Sequence, residues 1–284
     1  DKLIARFAKG EFRETWWGAV FAKAWSKSET KRDGASRGRG NFQQKIICDR
    51  FSSFLGTDSM KLKIIAIVVP TASGKSDLAV SIAKNFNGEV ISADSRQVYK
   101  GLDIGTGKIT KKEMRGIPHH LLDVSSPKKV FNVADFKKLT DQKIKEIVGR
   151  GKVPILCGGT GFYIDTVTKN LSLPEVPPNK ILREKLEKQS VEKLFAQLQK
   201  IDPLRAQTID KHNKVRIVRA IEIAKAIGKV PSLDTDYKST YKTLYIGISW
   251  EQDILKERIY KRLLQRIKKG MIKEVESLHE QGLS

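Results

Sequence analysis

A short β-branched run that meets a Gly-Lys-Ser turn and then an amphipathic stretch sets the tightest limit on what this chain can become. Residues 64–76 read Ile-Ile-Ala-Ile-Val-Val-Pro-Thr-Ala-Ser-Gly-Lys-Ser. The run Ile64–Val69 is too short to cross a membrane and rich in strand formers, so it is expected as a buried parallel strand. Asp77–Phe86 reads as the helix after it. A loop that opens into a helix points backbone N–H groups outward, and the helix dipole adds partial positive charge there. The junction is therefore a cradle for a di- or triphosphate, formed by Pro70, Thr71, Ala72, Ser73, Gly74, Lys75 and Ser76. Lys75 is expected on the terminal phosphates and the Ser76 hydroxyl on Mg²⁺. The full pattern is Gly-x4-Gly-Lys-Ser/Thr, and Val69 stands where it has glycine, so the match is partial and rests on the strand before and the helix after.

Past Met60 strands and helices alternate. Gly88–Ala93 reads as a second strand, Val133–Val148 as a helix, Val153–Cys157 as a third strand, and Gly158-Gly-Thr-Gly161 turns into a helix over Phe162–Thr168. Alternation of this kind predicts an α/β fold, a P-loop NTPase-like parallel sheet flanked by helices. The turns after Val69, Ala93 and Cys157 would then share one crevice at the carboxyl ends of the strands. Leu173-Pro-Glu-Val-Pro-Pro178 is a stiff linker into an inserted all-helical subdomain. One stripe there runs Leu182, Leu186, Leu194, Phe195, Leu198, Ile201, and after a break near Pro203 another runs Val215, Val218, Ile221, Ile223, Ile227. Thr243–Ile248 returns to the sheet, and Ile254–Lys269 is a basic helix with Arg258, Arg262 and Arg266 on one face. The domains are thus 60–174 with 238–284 as the core and 175–237 as the helical insertion. Residues 1–59 carry three tryptophans and a Gly/Arg-rich tract, and are expected as a basic leader apart from the fold.

Charge and cysteines narrow the partner and the compartment. Over 284 residues the formal net charge is +22, which points to a polyanionic partner, nucleic acid first. The two cysteines, Cys48 and Cys157, have no metal-ligand spacing, so neither a zinc site nor a disulfide framework is expected and a cytoplasmic location fits. The third strand ends without the carboxylate that phosphate-loop kinases use to hold Mg²⁺. The acid expected in the crevice is instead Asp94, placed to act as a general base toward a substrate beside the phosphates. An Asp in such a turn can also simply cap its own backbone.

Five ordered blocks then carry a resemblance. Val69-Pro-Thr-Ala-Ser-Gly-Lys-Ser, Asp94-Ser-Arg-Gln-Val-Tyr-Lys-Gly101, Asp103-Ile-Gly-Thr-Gly-Lys108, Pro118-His-His-Leu-Leu-Asp123 and Gly158-Gly-Thr-Gly-Phe-Tyr163 resemble the signature blocks of the tRNA dimethylallyltransferase (tRNA isopentenyltransferase) family. The resemblance runs from about Met60 to Ser284. It implies a monomeric, non-membrane enzyme that transfers a dimethylallyl group from dimethylallyl diphosphate to N6 of an adenosine beside the anticodon of tRNA, with Mg²⁺ and release of diphosphate. By the same resemblance Asp94 accepts the N6 proton, Thr160 contacts the reacting region and Arg262 reaches the diphosphate. The tRNA contacts it implies are Asp94, Ser95, Arg96, Gln97, Thr160, Arg183, Lys214, Val215 and Arg216. The competing readings are a small-molecule kinase with the same loop and a non-catalytic RNA-binding relative.

Overall fold

The structure is a computed structural model, and it describes residues 20–21, 54–55, 61–68, 72–231, 239–248 and 250–283. The chain divides into two compact units, Asp1–Asn170 with Lys238–Ser284 and, separately, Leu171–Tyr237.

The first unit is built on a parallel sheet. Its strands are β1 (Val20–Phe21), β2 (Leu62–Val68), β3 (Gly88–Ser92), β4 (His119–His120), β5 (Val153–Gly158) and β6 (Tyr241–Gly247), in the spatial order β1-β6-β2-β5-β3-β4. Every pairing in it is parallel. Successive residues of β2 face opposite sides, and both sides are covered, which is why the run lacks the polar alternation of a half-exposed strand. Ile64 and Ala66 pack with Ile91, Leu156, Phe136, Ile144, Ile147 and Ile164 on one side. Ile65 and Ile67 pack with Val90, Ile155, Leu78, Ala79 and Ile82 on the other. Both layers are dry, with Ile64, Ile65 and Ile67 fully inaccessible to solvent, and each such side chain contributes about 1.5–3 kcal/mol of burial.

Helices cover both faces. On one lies α1 (Lys75–Asn85); α2 (Lys111–Met114) is a single capped turn; α3 (Val133–Gly149) and α4 (Gly161–Thr168) cover the other face. Asn132 starts α3 by accepting from the N–H groups of Ala134 and Asp135, while Asp135 answers through the Asn132 N–H. Phe136 of α3 and Tyr163 of α4 stack with ring centroids 4.2 Å apart.

Two strands were not foreseen. β4 is only two residues long, too short for a periodicity to show. β1 pairs with Ile246 and Gly247, and Phe54 packs against the sheet. An open parallel edge presents unpaired backbone groups, which an extended segment satisfies whatever its side chains. The remaining residues of 1–59, among them the tryptophans, the Gly/Arg-rich tract and Cys48, lie outside the described residues.

The second unit is helical: α5 (Lys180–Glu187), α6 (Val191–Ile201), α7 (Pro203–Thr208) and α8 (Lys214–Ile227). Pro203 marks the break because it occupies the first turn of α7, where its missing N–H costs nothing. Leu186, Leu194, Leu198, Ile217, Val218 and Ile221 form the core, with Leu182, Phe195 and Ile201 against it. The expected stripe on α8 needs correcting at both ends. Val215 is 80% and Ile227 51% exposed, whereas Ala220, Glu222 and Ala224 turn inward.

The chain returns to the first unit with β6 and continues there as α9 (Gln252–Lys268) and α10 (Met271–Glu280). Among the described residues no helix is long and apolar enough to cross a membrane.

Candidate functional site

The residues that end β2 and begin α1 supply the anion-binding floor. Gly74 caps α1 with φ 91°, a left-handed conformation that Cβ-bearing residues rarely take, and so leaves the first-turn N–H groups without a capping side chain. Ala72 is also left-handed, with φ 62°. Val69, Pro70 and Thr71 lie outside the described residues, so the structure speaks to this loop only from Ala72 onward. Two side chains from the far end of the chain hold the loop carbonyls just before Gly74. Trp250 Nε1 donates to the Ser73 carbonyl at 3.0 Å and Arg258 Nε to the Ala72 carbonyl at 2.9 Å. The Arg258 guanidinium also lies over the Trp250 ring, 4.4 Å from its centroid.

A cavity of about 520 Å³ opens above this floor. Ala72–Asp77 line it on one side, Asp94, Arg96 and Gln97 on another, the loop Asp103–Thr110 on a third, and Arg258, Arg262 and Arg266 from α9, with Lys269 just after it, close it. All these residues belong to the first unit. Cations outnumber acids in the lining, as an anionic ligand requires.

Lys75 reaches across the floor: its Nζ lies 3.8 Å from where a Cβ on Gly159 would stand. Burial lowers its pKa, an effect opposed by the neighbouring Cys157 and Asp94 and reinforced by Arg262 and Arg266. Burial pushes the Cys157 thiol up to about 12, so it is a packed neutral side chain and no nucleophile.

Asp94 follows β3 and lines the cavity. Its Oδ1 accepts from the Arg96 N–H at 2.9 Å, so the carboxylate does cap its own turn, and it does so with one oxygen. Thr160, the N-cap of α4, accepts through Oγ1 from the Ser95 N–H at 3.0 Å and donates to Ser95 Oγ at 3.3 Å. Its own N–H donates to the Ala93 carbonyl at 3.2 Å. Thr160 and Ser95 therefore do not line the cavity themselves; they lock the turn that presents Asp94 to it.

The arginine face of α9 is where the sequence pattern proved most informative. The half-buried side chains of this helix are Leu255, Arg258, Arg262 and Arg266, so its inward stripe is mostly guanidinium. Arg262 Nη2 donates to the Gly107 carbonyl at 3.4 Å, and Arg266 donates to the carbonyls of Gly105 and Thr106 at 3.0 and 3.4 Å. Gly107 has φ 62°, a conformation that favours glycine, and a Cβ there would fall 1.9 Å from Arg266 Nη2, so the guanidinium would have to shift. Arg266 is a site residue to which the sequence assigned no separate role, although its i+4 spacing from Arg262 was the signal. Trp250 was missed entirely, because nothing local distinguishes it from a core aromatic.

The remaining candidate residues lie in the helical unit. Arg183 grips Glu222 through two bonds, Nε to Oε1 at 3.0 Å and Nη2 to Oε2 at 2.8 Å. Arg219 and the Asn179 N–H meet the same carboxylate. Arg183 is thus engaged within its own unit, where the resemblance gave it to tRNA. Lys214 Nζ donates to the Glu187 carbonyl at 2.7 Å, the Arg216 N–H to Asn213 Oδ1, and Val215 stands in solvent.

A parallel α/β sheet, a glycine-capped helix that starts at Lys75 after the second strand, and a cavity walled by arginines make an α/β protein whose site suits an anionic ligand. The family model for IPP transferase matches residues 97–284. A tRNA dimethylallyltransferase of Anoxybacillus flavithermus is 44% identical over 224 residues, covering 78% of this chain and 72% of the relative. Among solved structures, a tRNA isopentenylpyrophosphate transferase from Bacillus halodurans is 42% identical with a TM-score of 0.57, over 78% of this chain and 72% of that one. A eukaryotic dimethylallyltransferase, described as acting on tRNA, is 30% identical with a TM-score of 0.69, over 78% of this chain and 56% of that one. The chain belongs to the IPP transferase family.

Proposed function

We propose that this protein transfers a dimethylallyl group from dimethylallyl diphosphate to N6 of an adenosine beside the anticodon of tRNA. The observation that carries the reading is that Asp94, Lys75 and three arginines share one cavity wall to wall. In the reaction the allylic carbon–oxygen bond breaks, a carbon–nitrogen bond forms at N6, the N6 proton passes to a base, and diphosphate leaves. The Asp94 carboxylate, with one oxygen used in its turn, has the other to accept that proton. Charge accumulates on the departing diphosphate, and the first-turn N–H groups of α1, Lys75, Arg258, Arg262 and Arg266 stabilise it. Arg96 and Gln97 line the cavity and suit contacts to RNA, and Ser95 stands between Asp94 and Arg96 in the same turn. A stacked base cannot reach such a depth, so the adenosine enters flipped out of its loop.

Mg²⁺ suits this site through the substrate. Ser76 lines the cavity at the start of α1, and among the described residues no three His, Cys, Asp or Glu side chains gather to hold an ion on their own. That donor set matches an ion carried mainly by phosphate oxygens and water, with Ser76 as its protein ligand. When bound it neutralises charge on the diphosphate. We infer a monomer, and a tRNA substrate supports a cytoplasmic location.

Incubating the protein with labelled dimethylallyl diphosphate, Mg²⁺ and unmodified tRNA tests the reading. Label should pass to tRNA with stoichiometric diphosphate release, and ATP should yield no phosphate. Label-free tRNA beside conversion of ATP to ADP, with the γ-phosphoryl group passed to an acceptor, would instead make the protein a kinase.

A further inference from the structure

The polar contacts of Arg262 and Arg266 on the α9 arginine face converge on the loop Asp103–Lys108. On the loop's inner side its carbonyls hold Arg262 and Arg266. On the other side its N–H groups meet a single carboxylate on α10. Glu274 Oε2 accepts from Asp103 N–H at 3.0 Å and Ile104 N–H at 2.7 Å, and Oε1 accepts from Gly105 N–H at 2.9 Å. A Cβ on Gly105 would lie 3.4 Å from Glu274 Oε1, so the loop backbone stands directly beside the carboxylate. The loop is closed on itself by Thr106 Oγ1 to the Leu102 carbonyl at 2.6 Å and by Lys108, whose ammonium bonds Asp103 and Asp123.

Three N–H groups pointing at one spot repel one another unless an anion stands there. Remove the carboxylate and the peptide planes must turn, and the carbonyls of Gly105, Thr106 and Gly107 turn with them. We propose that Glu274 is a positioning residue for the diphosphate: by fixing the peptide planes of residues 103–107 it sets Arg262 and Arg266 at the distance from the phosphate floor that a diphosphate needs. This deepens the function proposed above and rests on its reading of the cavity. Glu274 touches no reacting atom.

The test uses the full chain and two probes, inorganic diphosphate measured by calorimetry and prenyl transfer to tRNA measured by label. Glu274→Ala should weaken diphosphate binding and raise the KM for dimethylallyl diphosphate by on the order of 10-fold, as expected when binding groups are misplaced by a fraction of an ångström to an ångström. The KM for tRNA should move less than about 2-fold. Glu274→Asp, which keeps two acceptor oxygens, should recover most of the loss. Because Glu274 acts through the arginines, adding Arg266→Ala should cost less in the Glu274→Ala background than in the wild type. Should Glu274→Ala fold poorly, Glu274→Gln keeps the shape and one acceptor while turning an amide N–H₂ toward the nest, and should show the same loss in a folded protein. Unchanged diphosphate affinity in either folded variant, additive effects with Arg266→Ala, or an equal rise in both KM values would overturn the inference. If the wild type binds diphosphate in a Glu274-dependent manner but never labels tRNA, the positioning role stands and the function reading fails.

Discussion

Asp94 carries two duties with two oxygens, and the geometry separates them. Oδ1 caps the turn through Arg96 N–H, so truncation to alanine removes both the cap and the base. Asp94→Asn keeps an oxygen for the cap and loses only basicity. We therefore expect Asp94→Asn to lower kcat by roughly two to four orders of magnitude, the size of a general-base contribution, with tRNA affinity nearly unchanged. Rapid-quench turnover and filter binding check this, and wild-type turnover in a folded Asp94→Asn would assign the proton to another group. The same care applies to Arg183. Its guanidinium holds a carboxylate that is 1% exposed, so loss of tRNA binding in Arg183→Ala would report a weakened helical unit before it reported a lost RNA contact.

Within elements, buried carboxylates decide what is fragile. Glu222 sits on the inner face of α8 between Arg183 and Arg219, both about one-third exposed. Breaking a fully buried pair costs about 3–5 kcal/mol, and with the arginines partly in water Glu222→Ala should cost about 2–3 kcal/mol, read as a fall in the denaturant midpoint. At the start of β3, Glu89 is 3% exposed and meets Arg150 at 2.6 Å, His120 at 2.7 Å and Lys152 at 2.9 Å. Burial alone would raise its pKa, but hydrogen bonds from Arg150, Lys152 and His120 win and hold it at about 2. Glu222 is held at about 2 likewise, its burial outweighed by Arg183, the Asn179 N–H and Arg219.

At the scale of the whole molecule those two carboxylates set an acid limit. Both have folded pKa values near 2 against an ordinary 4.5, so their stabilisation is complete above about 4.5 and drains away as pH falls from there toward 2. Thermal scans should show Tm falling through that window, with a shallower fall in Glu89→Gln. The net charge of +22 acts on the same scale. Affinity for tRNA should drop steeply with salt, each neutralised phosphate adding roughly 0.7–0.9 to the log–log slope. A flat salt response in filter binding would remove tRNA as the partner of that charge.

Local chemistry, readable in order along the chain, fixed the alternation of strands and helices, the Gly-Lys-Ser start of α1, the Asp94 turn and the arginine face of α9. Each of these rests on residues within one or two turns of one another: strand propensity, a glycine cap, i+4 spacing. Other features needed the tertiary fold because their partners are remote in sequence. Glu274 reaches Asp103–Gly105, Trp250 reaches Ser73, Arg183 meets Glu222, and no periodicity announces such pairs. Val215 shows the opposite error, an apolar residue at helical spacing that the first turn of α8 leaves in water. The sequence by itself determined which chemistry stands at the ends of the strands. Only the folded chain decided which side chains hold that chemistry in place, because closing loops of 39 to 177 residues brings together groups that no local pattern relates.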